Sequence, residues 1–92
     1  MDMTKEQRTA LAGEVASRLR AERARVNLTL REAGEKAGIH YVSISRYEQG
    51  KLPTLEALYS LAHAYGIEPG VFLPSLDKVS ESPGKKPKRP RQ

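Results

Sequence analysis

A chain of 92 residues with a net charge of +5 makes one domain at most and buries a modest core, which leaves little room for the deep pocket of an enzyme. It has no cysteine, which excludes disulfides, thiolate zinc sites and cysteine catalysis and fits a reducing cytoplasm. The charge is unevenly placed: residues 1–82 hold eleven basic and eleven acidic side chains, so the whole excess lies in Lys85, Lys86, Lys88, Arg89 and Arg91.

The opening segment "MDMTKEQRTALAGEV" has neither a basic flank followed by an apolar stretch nor a run of membrane-spanning length, so a cytoplasmic protein without a membrane span is expected. Thr4 and Gln7 have capping-box spacing, and Leu11, Val15, Leu19, Arg23 and Val26 recur at helical steps, predicting one long first helix. Gly13 inside it costs about 1 kcal/mol relative to alanine, so its first two turns are expected to fray. Asn27, which tolerates the left-handed conformation, ends it. Thr29 and Glu32 form a second capping box, Leu28 staples the entry, and Leu30, Ala33, Gly34 and Ala37 make a narrow face. Gly38 stops this helix and Ile39 plugs the turn.

"GIHYVSISRYEQG" then predicts a short third helix ended by Gly50. Ile44, Tyr47 and Glu48 share one face with Tyr41, while Val42, Ser43, Ser45, Arg46 and Gln49 fall on the other. Thr54 caps a fourth helix whose Leu55, Leu58, Leu61, Ala62 and Tyr65 form an apolar stripe ended by Gly66. Glu68 and Pro69 suit the cap and first position of a last short helix carrying Val71, Phe72 and Leu73, and Pro74 closes the domain. From residue 77 on, charge, serine, proline and glycine prevail, so composition predicts a domain over residues 1–76 and a disordered basic C-terminal tail over 77–92. That tail admits three readings: a solvated segment, an arm on DNA backbone, or a segment that folds on a partner.

Two short helices joined by a glycine turn, over residues 29–49, have the helix-turn-helix arrangement, in which the second helix lies in the DNA major groove. Small Ala33 and Gly34 let the helices cross closely. The pieces "TLREAGEKAG", "ISRYEQGKLPTLEAL" and "LAHAYGI" occur in order, and over roughly residues 15–73 the chain resembles the lambda-repressor-like, Xre/Cro-type DNA-binding domain. The resemblance implies an all-α, five-helix fold and a transcriptional regulator, a repressor more often than an activator. It also implies a homodimer on double-stranded DNA whose operators have two-fold symmetry.

Carried onto these positions, the resemblance makes Tyr41, Val42, Ser43, Ser45 and Arg46 the residues expected to meet bases, while Tyr41, which leans inward, equally suits the sugar-phosphate wall or the core. Each has a chemical use there. The serine hydroxyls suit either base edge, the Val42 methyls suit a thymine methyl, and Arg46 forks onto guanine or pins a phosphate. Thr29, Leu30 at the start of the second helix, His40, Gln49 and Lys51 are expected at phosphates. His40 stands in place of the usual serine or threonine cap, and Leu30 in place of a common glutamine. The family pattern also pairs an arginine of the first helix with a glutamate closing the recognition helix, here Arg23 and Glu48. Arg23 lies on the apolar stripe, which a solvated residue would not explain.

No enzyme, metal or cofactor is expected. His40 and His63 are isolated on different elements, and Ser43 and Ser45 have no grouping that supplies a base. The apolar cluster Val71, Phe72, Leu73 and Leu76 is the expected dimer surface. The rival function is a protein-binding adaptor or an antitoxin on the same fold, with a toxin as partner and DNA binding secondary.

Overall fold

In the computed structural model, which describes residues 2–80, each threonine cap expected from the sequence is made. Helix α1 spans Lys5–Arg25, and at its start Thr4 Oγ1 accepts from the Gln7 amide at 3.0 Å while Gln7 Oε1 accepts from the Thr4 amide at 2.9 Å. Helix α2, Leu30–Ala37, repeats the box with Thr29 and Glu32 at 3.0 and 2.8 Å. Helix α3 spans Tyr41–Glu48, and helix α4, Leu55–Tyr65, begins with Thr54 Oγ1 accepting from the Ala57 amide. These boxes satisfy amides that a helix start otherwise leaves without partners.

The core is built from every one of these elements. Val15 and Leu19 of α1, Ala33 of α2, Ile44 of α3, Leu58, Leu61, Ala62 and Tyr65 of α4, and Phe72 form one buried cluster. Tyr65 and Phe72 meet edge to face at 6.3 Å. Ile39, between α2 and α3, packs on this cluster as the expected plug.

The α2–α3 turn depends on two glycines for different reasons. Gly38 is left-handed at φ 71°, and the amides of Gly38 and Ile39 both return to the Gly34 carbonyl, at 2.8 and 3.1 Å. Gly34 is buried, and a Cβ there would stand 2.5 Å from the Ile39 carbonyl oxygen. That oxygen belongs to backbone and has nowhere to go. The helices of the unit therefore cross as closely as they do only with glycine at 34.

Several expectations are corrected. Residues 69–73 do not form an α-helix but a 3-10 turn over Pro69–Phe72, and Glu68 gives it no side-chain cap. The boundary drawn at residue 76 falls inside a fifth helix, α5, spanning Leu76–Ser80. Its Val79 is buried, Lys78 reaches Glu14 at 3.6 Å, and Ser80 O accepts from Gln7 Nε2 at 3.2 Å. A single apolar residue in a charged segment was too weak a signal. The first turns of α1 are helical from Lys5, through Gly13, because the capping box and α5 hold them. Leu55 keeps 69% of its surface exposed although it lies on the helical stripe, since α4 begins before the core does. Phe72 is fully buried and so belongs to the core, not to a dimer surface. The rest of the expected tail, residues 81–92, lies outside the described residues. The fold class stands: five α-helices and no strand among the described residues.

Two glycines of the helices should respond with opposite sign. Nothing lies within 4 Å of a Cβ placed on Gly13, so Gly13→Ala should stabilise the domain by about 0.5–1 kcal/mol. Gly34→Ala should destabilise it by about 1–3 kcal/mol through overpacking, which exceeds the helical gain. Urea denaturation of the two variants checks both, and a stabilised Gly34→Ala protein would contradict the close approach.

Candidate nucleic-acid interface

Helix α3 has one face in the core and one face out. Ile44 and Glu48 are buried and Tyr47 packs on the core, while Val42, Arg46 and Gln49 are exposed and Ser43 and Ser45 half-buried. His40 caps the helix in a way the sequence did not announce: its Nδ1 accepts from the Val42 amide at 3.1 Å, which requires that nitrogen to be unprotonated. The His40 ring also stacks on Tyr41, with centroids 5.0 Å apart and planes at 20°.

Of the expected base-contacting residues, Val42, Ser43, Ser45 and Arg46 lie along the outward side of α3, and Ser45 is linked to Gln49, one of the expected phosphate contacts. Gln49 Nε2 donates to Ser45 Oγ at 2.8 Å, leaving the serine hydrogen and the Gln49 carbonyl oxygen for another partner. Arg46 makes no ion pair among the described residues. Tyr41 is half-buried, and its hydroxyl oxygen accepts from Arg31 Nη2 at 2.9 Å. Of the expected phosphate residues, His40 lies at the head of α3 and Gln49 and Lys51 at its foot, all exposed. Thr29 and Leu30 stand apart from that row, at the start of α2. The Thr29 hydroxyl is engaged in its cap, and the Leu30 side chain packs on the core, so Leu30 offers a ligand its backbone amide alone.

Arg23 and Glu48 meet in a fork. Arg23 Nε lies 2.7 Å from Glu48 Oε2 and Nη2 lies 2.9 Å from Oε1, while Nη1 donates to the Leu28 carbonyl at 2.9 Å. One guanidinium therefore joins the end of α1, the turn into α2 and the end of α3. The hydrogen bond to Glu48 pushes the Arg23 pKa above its ordinary value, burial opposing it. Arg20 Nη1 donates to the Glu48 backbone carbonyl, a second tie that sequence reading missed. Its signal was available: Arg20 lies three residues before Arg23, on the same helical face. Arg31 was also missed, and for it no local signal existed, because its partner Tyr41 lies ten residues on.

Tyr65 lies behind this pair. Its hydroxyl is buried with no hydrogen-bond partner among the described residues, and burial, then the negative charge of Glu48, push its pKa up to about 12, Arg23 opposing. Among the described residues no group of three or more His, Cys, Asp or Glu is placed to hold a metal. No helix among them is long and apolar enough to cross a membrane. An open cleft of about 450 Å³ lies between Lys5–Gly13 of α1 and the loop Gln49–Leu52.

The sequence model of the helix-turn-helix family matches residues 19–72. No curated protein sequence matches the chain. Among solved structures, the restriction-modification controller protein C.AhdI from Aeromonas hydrophila superposes with a TM-score of 0.65 at 24% identity, covering 67% of this chain and 96% of that one. The P22 c2 repressor, solved with the synthetic operator 9T, has a TM-score of 0.60 at 28% identity and covers 64% of this chain and 91% of its own. Hydroxypropylphosphonic acid epoxidase from S. wedmorenis also contains the fold, with a TM-score of 0.65 at 22% identity over 72% of this chain, but over 36% of the enzyme. The fold is thus a scaffold found in proteins of different activity, and function has to be argued from the outward face of α3.

Two substitutions test the frame behind that face. Alanine at either Arg23 or Glu48 should cost about 3 kcal/mol, the low end for breaking a buried pair, because the Arg23 side chain is still 23% exposed. The double variant should lose less than the sum, and additive losses in urea unfolding would count against the coupling. Tyr65 gives a pH signature. Its folded pKa lies above the ordinary 10.0, so the neutral phenol favours the fold, and that contribution is full below pH 10 and lost as pH rises toward 12. Tyr65→Phe should be at least as stable at neutral pH, since it removes an unsatisfied buried hydroxyl, and should lose less stability than the parent between pH 10 and 12.

Proposed function

This chain belongs to the helix-turn-helix family, as a DNA-binding transcription regulator of the Xre/lambda-repressor type, and from that membership we propose that it is a sequence-specific repressor inserting α3 into the major groove. The observation that carries the reading is the outward row of α3. Its Val42 and Arg46 are exposed and its serines half-buried, on a helix whose other face is pinned by Ile44 and by the Arg23–Glu48 fork. A rigid helix with an unpaired cation and short polar side chains outward suits base edges better than it suits an apolar protein partner.

In this reading Tyr41, Val42, Ser43, Ser45 and Arg46 face the bases. His40, Gln49 and Lys51 bracket them at the two phosphate walls of the groove, and Thr29 and the Leu30 amide reach backbone from the start of α2. The protein works in the cytoplasm as a homodimer and needs no cofactor. With Phe72 in the core, the dimer surface is the exposed set Val71, Leu73 and Leu76, which keep 40%, 48% and 67% of their surface. A two-fold dimer sets its recognition helices about 34 Å apart, one turn of duplex, and selects inverted repeats. A second reading, the adaptor or antitoxin that binds a toxin, draws support from Leu55 and Tyr59, one turn apart on α4 and 69% and 58% exposed.

Selection of bound sequences from a random duplex pool tests the proposal. An inverted repeat should emerge, and Arg46→Ala should cost roughly 1–3 kcal/mol on the best site while relaxing preference at one position of each half. Weak binding that is equal for all duplexes and lost with salt, beside a stoichiometric protein complex, would favour the second reading.

A further inference from the structure

Arg31 stands in the first turn of α2, and Tyr41 is the first residue of α3. The Arg31 guanidinium carbon lies 4.1 Å from the centre of the Tyr41 ring, and its Nη2 donates to the phenol oxygen at 2.9 Å. Glu35, one turn further along α2, occupies the position at which a carboxylate ordinarily pairs with an arginine. Among the described residues no ion pair joins the two. The guanidinium has taken the tyrosine instead, where its charge lies over the ring and one of its N–H groups reaches the hydroxyl.

This contact changes what Tyr41 can recognise. A free phenol both donates and accepts, so it meets almost any base edge and discriminates poorly. Arginine has only donors. With Arg31 on the lone-pair side of the oxygen, the phenol hydrogen must point elsewhere, and a hydroxyl that accepts from a cation is a stronger donor in turn. Tyr41 and Arg31 together therefore present several donors, against one acceptor already engaged by a cation. In the major groove, guanine offers two adjacent acceptors, N7 and O6, for the donors of the pair, whereas cytosine offers only the N4 donor, adenine sets the N6 donor beside its N7, and thymine has the single acceptor O4 beside its methyl.

We propose that Arg31 is a specificity-determining residue that acts by positioning Tyr41, biasing its phenol toward donating, so that the pair selects guanine at the base step facing the start of α3. This rests on the reading of α3 as the major-groove helix. The Tyr41 ring, stacked on His40 as well as held by Arg31, is oriented before DNA arrives. The guanine preference is then a property of a pair of residues on two helices, not of the tyrosine alone.

The experiment compares the full chain with its Arg31→Ala, Tyr41→Phe and doubly substituted variants, by selection from random duplexes and by titration over a range of salt. The parent should require guanine at one position of the half-site. Each single variant should weaken that preference by about 3- to 10-fold, the range of one ordinary hydrogen bond, and the double variant no further than either. Preferences at the other positions should stay unchanged, which a general loosening of α3 would not allow. If Arg31→Ala leaves the guanine preference intact and lowers the salt slope by about 0.9, Arg31 is a phosphate contact and the inference is overturned. Additive losses in the double variant overturn it as well. A parent that selects no sequence at all overturns the major-groove reading itself, and that result is distinct from a parent whose preferences survive the loss of Arg31.

Discussion

Glu48 ends α3 with 5% of its surface exposed, and an ionised carboxylate is held there because Arg23 meets it with two parallel N–H groups and good geometry on both. An isolated charge in that place would cost several kcal/mol. The pair need not stabilise the fold more than two well-packed apolar residues would, since desolvation offsets much of the attraction. What it adds is direction. Contacts at Ile44 resist lifting α3 off the core, but apolar contacts tolerate some rotation about the helix axis. A bidentate fork does not, so the rotation that decides which residues face outward is fixed by a hydrogen-bonded pair on the inward face.

Helices of eight residues, the length of both α2 and α3, have little stability of their own. They persist because each end is tied to something else. At its head α3 is held by the His40 cap and by the approach of Gly34 to the Ile39 carbonyl, and at its foot by Arg23 and Arg20. The same guanidinium bonds the Leu28 carbonyl just before the cap of α2. The helix-turn-helix is thus a clamp with one backbone contact at the turn and one ionic contact at the open end. Neither contact touches the outward row, which leaves Val42, Ser43, Ser45 and Arg46 free to vary in kind without disturbing the clamp.

The parts of this arrangement that were legible in the sequence are the local ones. Thr29 with Glu32, Thr4 with Gln7 and Gly38 after Ala37 are interactions among neighbours, so spacing alone expresses them. Arg23 was legible because a cation on an apolar stripe demands a partner, and the resemblance supplied Glu48 as that partner. Leu55 misled because helical periodicity records which face a residue occupies, not whether anything covers it. Phe72 misled in the reverse sense: an apolar cluster at the end of a small domain looks unpartnered until α1 and α4 are seen to enclose its largest member. Arg31 carried no signal of its own in the sequence, and Tyr41 alone suited the core as well as the groove. Only the crossing of α2 over α3 brings them together.

Residues 2–18 and 73–80 lie outside the matched helix-turn-helix segment, and the structure packs α5 on α1. The ion pair between Glu14 and Lys78 is exposed and contributes little. A helix of five residues cannot hold itself, so α5 depends on the burial of Val79 against α1. The first turns of α1, which carry the low helix propensity of Gly13, draw support from α5 in return. This mutual clasp has no member in common with the anchors of α3, which are Gly34, His40, Ile44, Arg23 and Glu48. Opening of the clasp would therefore free α5 from α1 while leaving the outward row of α3 in place.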